Sequence, residues 1–308
     1  MATKKTTAEV FALADKKVEA AQARLDLSQA PSKKVVAKKA LVAKKVSLPM
    51  WPDSVTGIPN ALLRGALFGV STERKLFAKR TLLTSVDCYE IRFKGETFNQ
   101  TDLDVVSKLL DVAQPHPLGK RVEFAAHSLL KALGRGVGGK DHEQLKEEIT
   151  RLMGGVVEIT DTQGQKTYMG TLVQDAGIDD ATGRWEVIFN NRMLKLYEDG
   201  YTLVDQEQRQ LLGRNNLAKW LHGHYASHAK PFPYKVKTLM DLCGSTTKRL
   251  VDFRISLRAA LDQLVKIAAI QSWTIDPKTD LVEVVNVPSQ TQLKHLVKTK
   301  KRPKSNPR

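Results

Sequence analysis

One pattern in this chain is written twice, and it constrains the fold more than any other feature. Ser128-Leu-Leu-Lys-Ala-Leu-Gly134 and Thr238-Leu-Met-Asp-Leu-Cys-Gly244 stand 110 residues apart. Each reads as a short helix stopped by glycine, which enters the left-handed conformation of a helix end at no steric cost. A short polar turn and a longer amphipathic helix follow in both copies. The first long helix is expected over 141–153, with Leu145, Ile149 and Leu152 on one face. The second is expected over 246–268, with Leu250, Phe253, Leu257, Leu261, Leu264 and Ala268 on one face. Strand-type sequence then takes over. Segments 156–161 and 166–173 flank Thr162-Gln-Gly-Gln165, and segments 272–276 and 281–287 flank Pro277-Lys-Thr-Asp280, so each copy ends in a hairpin. Short helix, glycine turn, longer helix and hairpin is the order of a winged helix-turn-helix. The expected fold class is α+β, with two tandem winged helix-turn-helix domains over 49–205 and 206–290. Basic, disordered arms are expected over 1–48 and 291–308.

The remaining segments fit around this repeat. Residues 8–30 have Val10, Ala14, Val18, Ala21 and Leu25 near helical spacing, and residues 31–46 repeat Lys-Lys pairs. A strand is expected over 87–93. A helix is expected over 101–113, with Leu103, Val106, Leu109 and Leu110 as its stripe and Pro115-His-Pro-Leu-Gly119 as its stop. A strand over 183–189, a helix begun at 190–197 and a helix over 211–229 linking the two units complete the reading.

The formal net charge of +16 points to a polyanionic partner, nucleic acid first. Its location matters more than its size. Residues 1–50 carry net +7 and residues 291–308 carry another +7, leaving only +2 for 51–290. DNA binding by the folded part must therefore rest on local pattern. The second long helix supplies it. Residues 245–258 contain four Lys/Arg and one Asp. A recognition helix presents its first turns to base edges, and arginine reads guanine bidentately. The expected DNA-binding residues of the second unit are Lys235, Lys237, Ser245, Thr246, Thr247, Lys248, Arg249, Asp252, Arg254, Arg258 and, in the hairpin, Lys278. The first unit offers Lys140 and Lys146, diluted by Asp141, Glu143, Glu147 and Glu148; Arg151 lies on the same helix.

Catalytic and metal signatures are weak. Gly134-Arg-Gly-Val-Gly-Gly139-Lys140-Asp141 nearly matches a phosphate-binding loop, but Asp141 replaces the hydroxyl that should hold magnesium, and a helix precedes the loop instead of a strand. His222, His224 and His228 share one expected helix without an acidic neighbour to complete a metal site, so packing or phosphate contact is expected of them. Cys88 and Cys243 form no CxxC pair and fit a reducing cytoplasm. No cofactor, metal or catalytic residue is expected. No apolar run is long enough to span a bilayer, and the polar start Met1-Ala-Thr-Lys-Lys argues against export, so a cytoplasmic bacterial location without membrane contact is expected.

Trp51-Pro-Asp53, Pro59-Asn60, Arg64, Ala66-Leu-Phe68, Pro117-Leu-Gly119, Ser227-His-Ala-Lys-Pro231-Phe-Pro233-Tyr-Lys235 and Leu242-Cys-Gly-Ser245 form an ordered set. The set resembles TrfA-type plasmid replication initiators over about 46–287. The resemblance implies two winged-helix units that bind direct repeats (iterons) in a plasmid origin. It also implies opening of an AT-rich segment, recruitment of the host initiator and replicative helicase, monomers that initiate, dimers that limit copy number, and no nucleotide hydrolysis. The sliding-clamp motif Gln-Leu-Ser-Leu-Phe of the prototype is not matched: the stretch before Trp51 reads Val42-Ala-Lys-Lys-Val-Ser-Leu-Pro49. Gln100-Thr-Asp-Leu-Asp-Val105 resembles a clamp motif only loosely, and Leu103 belongs to a helix core, so clamp contact is not expected. Met50 is a candidate internal start. The rival readings are a winged-helix transcriptional repressor and, from a different class, a nucleotide-using enzyme built on Gly134–Lys140.

Overall fold

The computed structural model describes residues 47–86, 88–179 and 181–287. The expected helix over 8–30, the Lys-Lys repeats of 31–46 and the basic stretch 294–308 lie outside the described residues.

Strand β1 (Val55–Pro59) runs into a single helical turn, α1 (Asn60–Leu63). β2 (Phe68–Gly69), β3 (Leu76–Leu83), β4 (Tyr89–Glu96) and β5 (Phe98–Asn99) precede α2 (Gln100–Ala113). β6 (Arg121–Phe124), α3 (Ala126–Ala132) and α4 (Gly139–Gly154) follow. Four strands come next: β7 (Val156–Asp161), β8 (Lys166–Gly170), β9 (Val173–Asp179) and β10 (Arg184–Phe189). A 3-10 turn at Asn191–Met193 leads to α5 (Leu194–Glu198), β11 (Tyr201–Asp205), α6 (Gln206–Leu211) and α7 (Asn216–Ala226). The described chain closes with β12 (Tyr234–Lys235), α8 (Val236–Leu242), α9 (Leu250–Lys266), β13 (Ile270–Ile275) and β14 (Leu281–Asn286). The fold mixes α and β throughout.

Both glycine stops hold. Gly134 and Gly244, just past α3 and α8, have φ of 66° and 62°, where a side chain is strained. The second long helix starts later than expected. It begins at Leu250, because Arg249 is extended (φ −105°, ψ 130°). Ser245 Oγ accepts from the Thr247 amide at 3.2 Å and donates to Thr247 Oγ1 at 3.0 Å. Such local hydroxyl bonds compete with helix formation, so residues 245–248 form a turn. The helix expected over 211–229 is two helices. Gly213 turns at φ 56°, and the Asn215 side chain caps α7 by accepting from the Ala218 amide at 3.0 Å. The short segment after 190 is a 3-10 turn plus α5, not one helix.

The topology revises the reading of the repeat. In the second half, β12, β14 and β13 form an antiparallel sheet in that order. In the first half the same order is made by β6, β10 and β9. The hairpin equivalent to β13–β14 is therefore β9–β10, not the expected one over 156–173. That hairpin forms as β7–β8, but it is inserted. It pairs with β4 and completes a separate sheet ordered β3-β4-β7-β8. Both hairpins have strand-forming sequence. Only the pairing with β6, which lies before α3, distinguishes them.

The core centres on α2. Leu103, Val105, Val106, Leu109 and Leu110 are each at most 1% exposed, and Asp102 and Ser107 are also buried. The expected one-sided stripe is thus buried nearly all round, because α3, α4, α7 and β1 pack about the helix. Its start is a reciprocal cap: Asn99 Oδ1 accepts from the Thr101 amide at 2.9 Å, and Asp102 Oδ2 accepts from the Asn99 amide at 2.7 Å. The expected linker helix is likewise core. Ala218, Trp220, Leu221 and Tyr225 of α7 are buried, and α7 packs on α1, α2, β2 and β11 as well as on α9. The compact unit also begins earlier than 49. Ser47 bridges to Pro117, and Leu48 is buried.

Candidate nucleic-acid interface

The second half presents a basic helix edge. Phe253, Leu257, Leu261 and Leu264 of α9 are buried, together with Val236, Leu239 and Cys243 from α8 and its turn. This seating turns the opposite side of α9 outward. Arg258 is exposed on it, and Thr246, Lys248 and Arg249 are exposed in the turn that leads into it; Lys248 and Arg258 enter no ion pair among the described residues. Arg249 is held by Asp252: its Nε donates to Oδ2 at 2.7 Å and its Nη2 to Oδ1 at 2.6 Å. The Arg249 side chain is nevertheless 76% exposed.

Arg254 has a different situation. Its Nε and Nη2 donate to the Asp280 carboxylate at 3.0–3.1 Å, which ties α9 to the β13–β14 turn. Lys237 pairs with Asp241 one helical turn away. In the hairpin, Asp276 accepts from the Lys278 and Thr279 amides at 2.7 and 2.8 Å. These bonds hold its carboxyl below the usual range and leave the Lys278 side chain exposed at the tip. Lys235, also exposed, stands opposite Leu281 in the sheet, next to that turn.

One contribution has no signal in the sequence. The loop after β2 borders the α8–α9 turn: the Val70 amide donates to Cys243 O at 2.9 Å, and the Ser71 and Thr246 hydroxyls meet at 3.3 Å. The two hydroxyls are 175 residues apart in the chain. Exposed Thr72 and Lys75 extend the surface beyond Thr246.

The first half is electrostatically unlike the second. Lys140 and Lys146 are exposed on α4, but so are Glu143 and Glu147. Arg151 is withdrawn from the surface: it donates to Asp102 at 2.7 Å and to Glu96 at 3.0 Å, with 10% of its side chain exposed. The β6-β10-β9 sheet cancels its own charges through Arg121–Glu186 at 2.7 Å and Arg184–Glu123 at 3.2 Å. The loop resembling a phosphate cradle serves α4. Asp141 Oδ2 accepts from the Gly138 amide at 3.1 Å, so a carboxylate occupies the place an incoming phosphate would need. A cleft of about 650 Å³ beside it contains Arg135, Arg209 and Lys219, but these are paired with Glu148 or Asp104.

The three histidines are packing groups. His222 Nε2 meets Gln208 Oε1 at 3.1 Å, His224 stacks on Trp220 with centroids 4.6 Å apart, and His228 Nδ1 lies 2.7 Å from His224 O. Burial lowers all three: His222 to about 3, His228 to about 4, and His224 well below its ordinary value. Among the described residues, no three His, Cys, Asp or Glu side chains are placed to hold a metal ion. Both cysteines are free thiols. No helix among the described residues is long and apolar enough to cross a membrane.

Comparisons with known proteins agree with this architecture. The chain is 26% identical over 224 residues to the plasmid replication initiator protein TrfA of Escherichia coli. That match takes in 70% of this chain and 58% of the relative, so the chain spans less than two thirds of its length. Two crystal structures of domains 2 and 3 of RctB share the fold at 12% identity. One has a TM-score of 0.54, covering 75% of this chain and 99% of that one; the other has a TM-score of 0.50, covering 73% and 96%. The family model described as TrfA protein matches residues 3–284, nearly the whole chain, and the chain therefore belongs to the TrfA family.

Proposed function

We propose that this chain is a non-enzymatic plasmid replication initiator that binds iterons in a plasmid origin. It uses two tandem winged-helix units, the first running from Ser47 to about 205 and the second over 206–290, of which the second is the main reader. It acts in the bacterial cytoplasm, helps to open the adjacent DNA, brings in the host initiator and replicative helicase, and limits initiation by pairing with itself. One observation carries the DNA-binding part. An exposed basic surface, Lys248 and Arg249 in the α8–α9 turn and Arg258 on α9, lies beside the β13–β14 hairpin, whose turn bears exposed Lys278. Family membership supplies the biological setting. Within this reading α9 enters the major groove, Ser245, Thr246 and Thr247 face phosphate, and Lys235 and Lys278 contact the backbone beside the hairpin. Asp252 and Arg254 hold parts of this surface in place, and Lys140 and Lys146 add weaker backbone contacts.

Arg258→Ala and Arg249→Ala are each expected to weaken binding to the specific duplex roughly 5- to 150-fold, the worth of one good base-reading arginine. Arg254→Ala is expected to cost less: Arg249 and Arg254 are both paired with an aspartate, but the Arg254 side chain is 27% exposed against 76% for Arg249. Fluorescence anisotropy on plasmid-origin repeats and scrambled duplexes measures both. Equal affinity for the two duplexes in the unsubstituted protein sinks the proposal.

The tails carry a second expectation. Residues 1–46 and 291–308 hold most of the basic excess. Removing them should flatten the salt dependence of non-specific binding by about 0.9 log unit for each phosphate they neutralise, while sequence preference survives. A salt titration that keeps its slope assigns the tails another role.

A further inference from the structure

The outward face of α9 is not wholly basic. Val251 is 58% exposed and Ile255 is 64% exposed. They lie four residues apart, one helical turn, and so share one face. Ile255 stands almost opposite the buried line of Phe253, Leu257, Ala260 and Leu264, at the crest of the outward face. Exposed Ala259 continues the same stripe toward the C-terminus. Lys248, Arg249 and Arg258 border it, and all three are exposed. A stripe of aliphatic side chains at the crest of a solvated helix loses free energy unless something dry covers it. The cationic rim makes that cover a polyanion with apolar groups of its own. In the major groove of DNA those groups are the thymine 5-methyls, which project from the groove floor between phosphate walls.

We propose that Val251 and Ile255 read thymine methyls, and that the site bound by this chain carries A·T pairs where these side chains land. The inference rests on the DNA-binding reading above and adds to it a specific chemistry. The basic rim then supplies charge and guanine contacts, and the aliphatic crest supplies discrimination by methyl contact. Neither side chain is needed for folding, because both are exposed and make no part of the core.

The test uses the full chain. Duplexes are selected from a random-sequence pool, and the recovered consensus is resynthesised with deoxyuridine replacing one thymidine at a time, which deletes only the methyl. The expected result is a consensus with A·T pairs at which methyl deletion weakens binding roughly 4-fold each, the worth of one buried methyl. In Val251→Ala and Ile255→Ala, each checked for native circular dichroism, the penalty at one such position should vanish. If deoxyuridine has no effect at any position while Arg258→Ala still weakens selective binding, the methyl reading fails and the DNA-binding reading stands. If no consensus emerges, the DNA-binding reading itself fails and takes this inference with it. If Val251→Ser with Ile255→Ser shifts a dimer to monomer in sedimentation and leaves base discrimination unchanged, the stripe is an interface between copies of the chain, and the inference is overturned.

Discussion

Asp104→Ala is expected to destabilise the folded chain by about 3–5 kcal/mol, the cost of leaving buried charge without its partner. Asp104 lies on α2, accepts from Arg209 Nε at 2.5 Å and from Lys219 Nζ at 2.6 Å, and joins helices α6 and α7 to the central helix. The three side chains are 14%, 3% and 11% exposed. Burial alone would raise the Asp104 carboxyl, but the Arg209 and Lys219 charges outweigh it and hold it below its ordinary value. Arg209 also donates to Lys219 O and to Gln100 Oε1, so its guanidinium cannot swing into solvent without breaking further bonds. Removing the carboxylate therefore strands two cations in the core. Urea denaturation of the variant measures the effect; a change below about 1 kcal/mol would show that water replaces the carboxylate. Asp104→Asn should recover little, because it keeps the shape and not the charge.

Acid should destabilise the protein already as the pH falls below about 6.5. In the unfolded chain a histidine takes up a proton near pH 6.5. In the fold, His222 does so only near 3 and His228 near 4, and His224 lies well below its ordinary value. Between those limits the unfolded state binds protons that the folded state refuses. Stability is thus complete above pH 6.5 and falls with pH by up to about 1.4 kcal/mol per unit for each such histidine. Asp104, whose folded value is depressed, adds its own destabilisation only below about pH 4. The cause is burial first, and at His222 the nearby Arg209 charge adds to it. His222 Nε2 faces Gln208 Oε1, and its Nδ1 meets no hydrogen-bond partner among the described residues, so a second proton there has nothing to bind. Urea titrations from pH 7.5 to 4.5 should show this slope, and His222→Asn should reduce it by one histidine's share. An identical slope in that variant would place the acid sensitivity elsewhere.

The helix and turn elements of the repeat are legible because their signals are local. Gly134 and Gly244 stop helices α3 and α8, and a long helix follows each; α9 is shorter than expected, ending at Lys266 before Ala268, which turns at φ 56°. The start of α9 falls four residues later than the spacing suggests, because the Ser245 and Thr247 hydroxyls satisfy the backbone in a turn that propensity alone does not register. Of the expected site residues, Lys235, Lys237, Thr246, Lys248, Arg249, Arg258 and Lys278 are exposed in the second half. Arg254 is engaged by Asp280, and on the first long helix Arg151 by Asp102 and Glu96. Arginine on a helix looks the same in a sequence whether or not a carboxylate from another element waits for it.

From the sequence alone come the duplicated helix–glycine–helix order, the strand-forming segments, the burial of the Phe253–Leu264 line and the concentration of charge in the tails. Each follows from spacing, glycine and composition within one stretch of chain. Which hairpin stands where β13–β14 stands, how α7 serves both halves, and which cations are left to meet a partner were decided by tertiary structure. Those outcomes depend on β6 finding β10, on Asp104 meeting Arg209 and Lys219, and on Asp280 reaching Arg254. Strand pairing and charge pairing act between residues far apart in the chain, where no local periodicity can specify the partner.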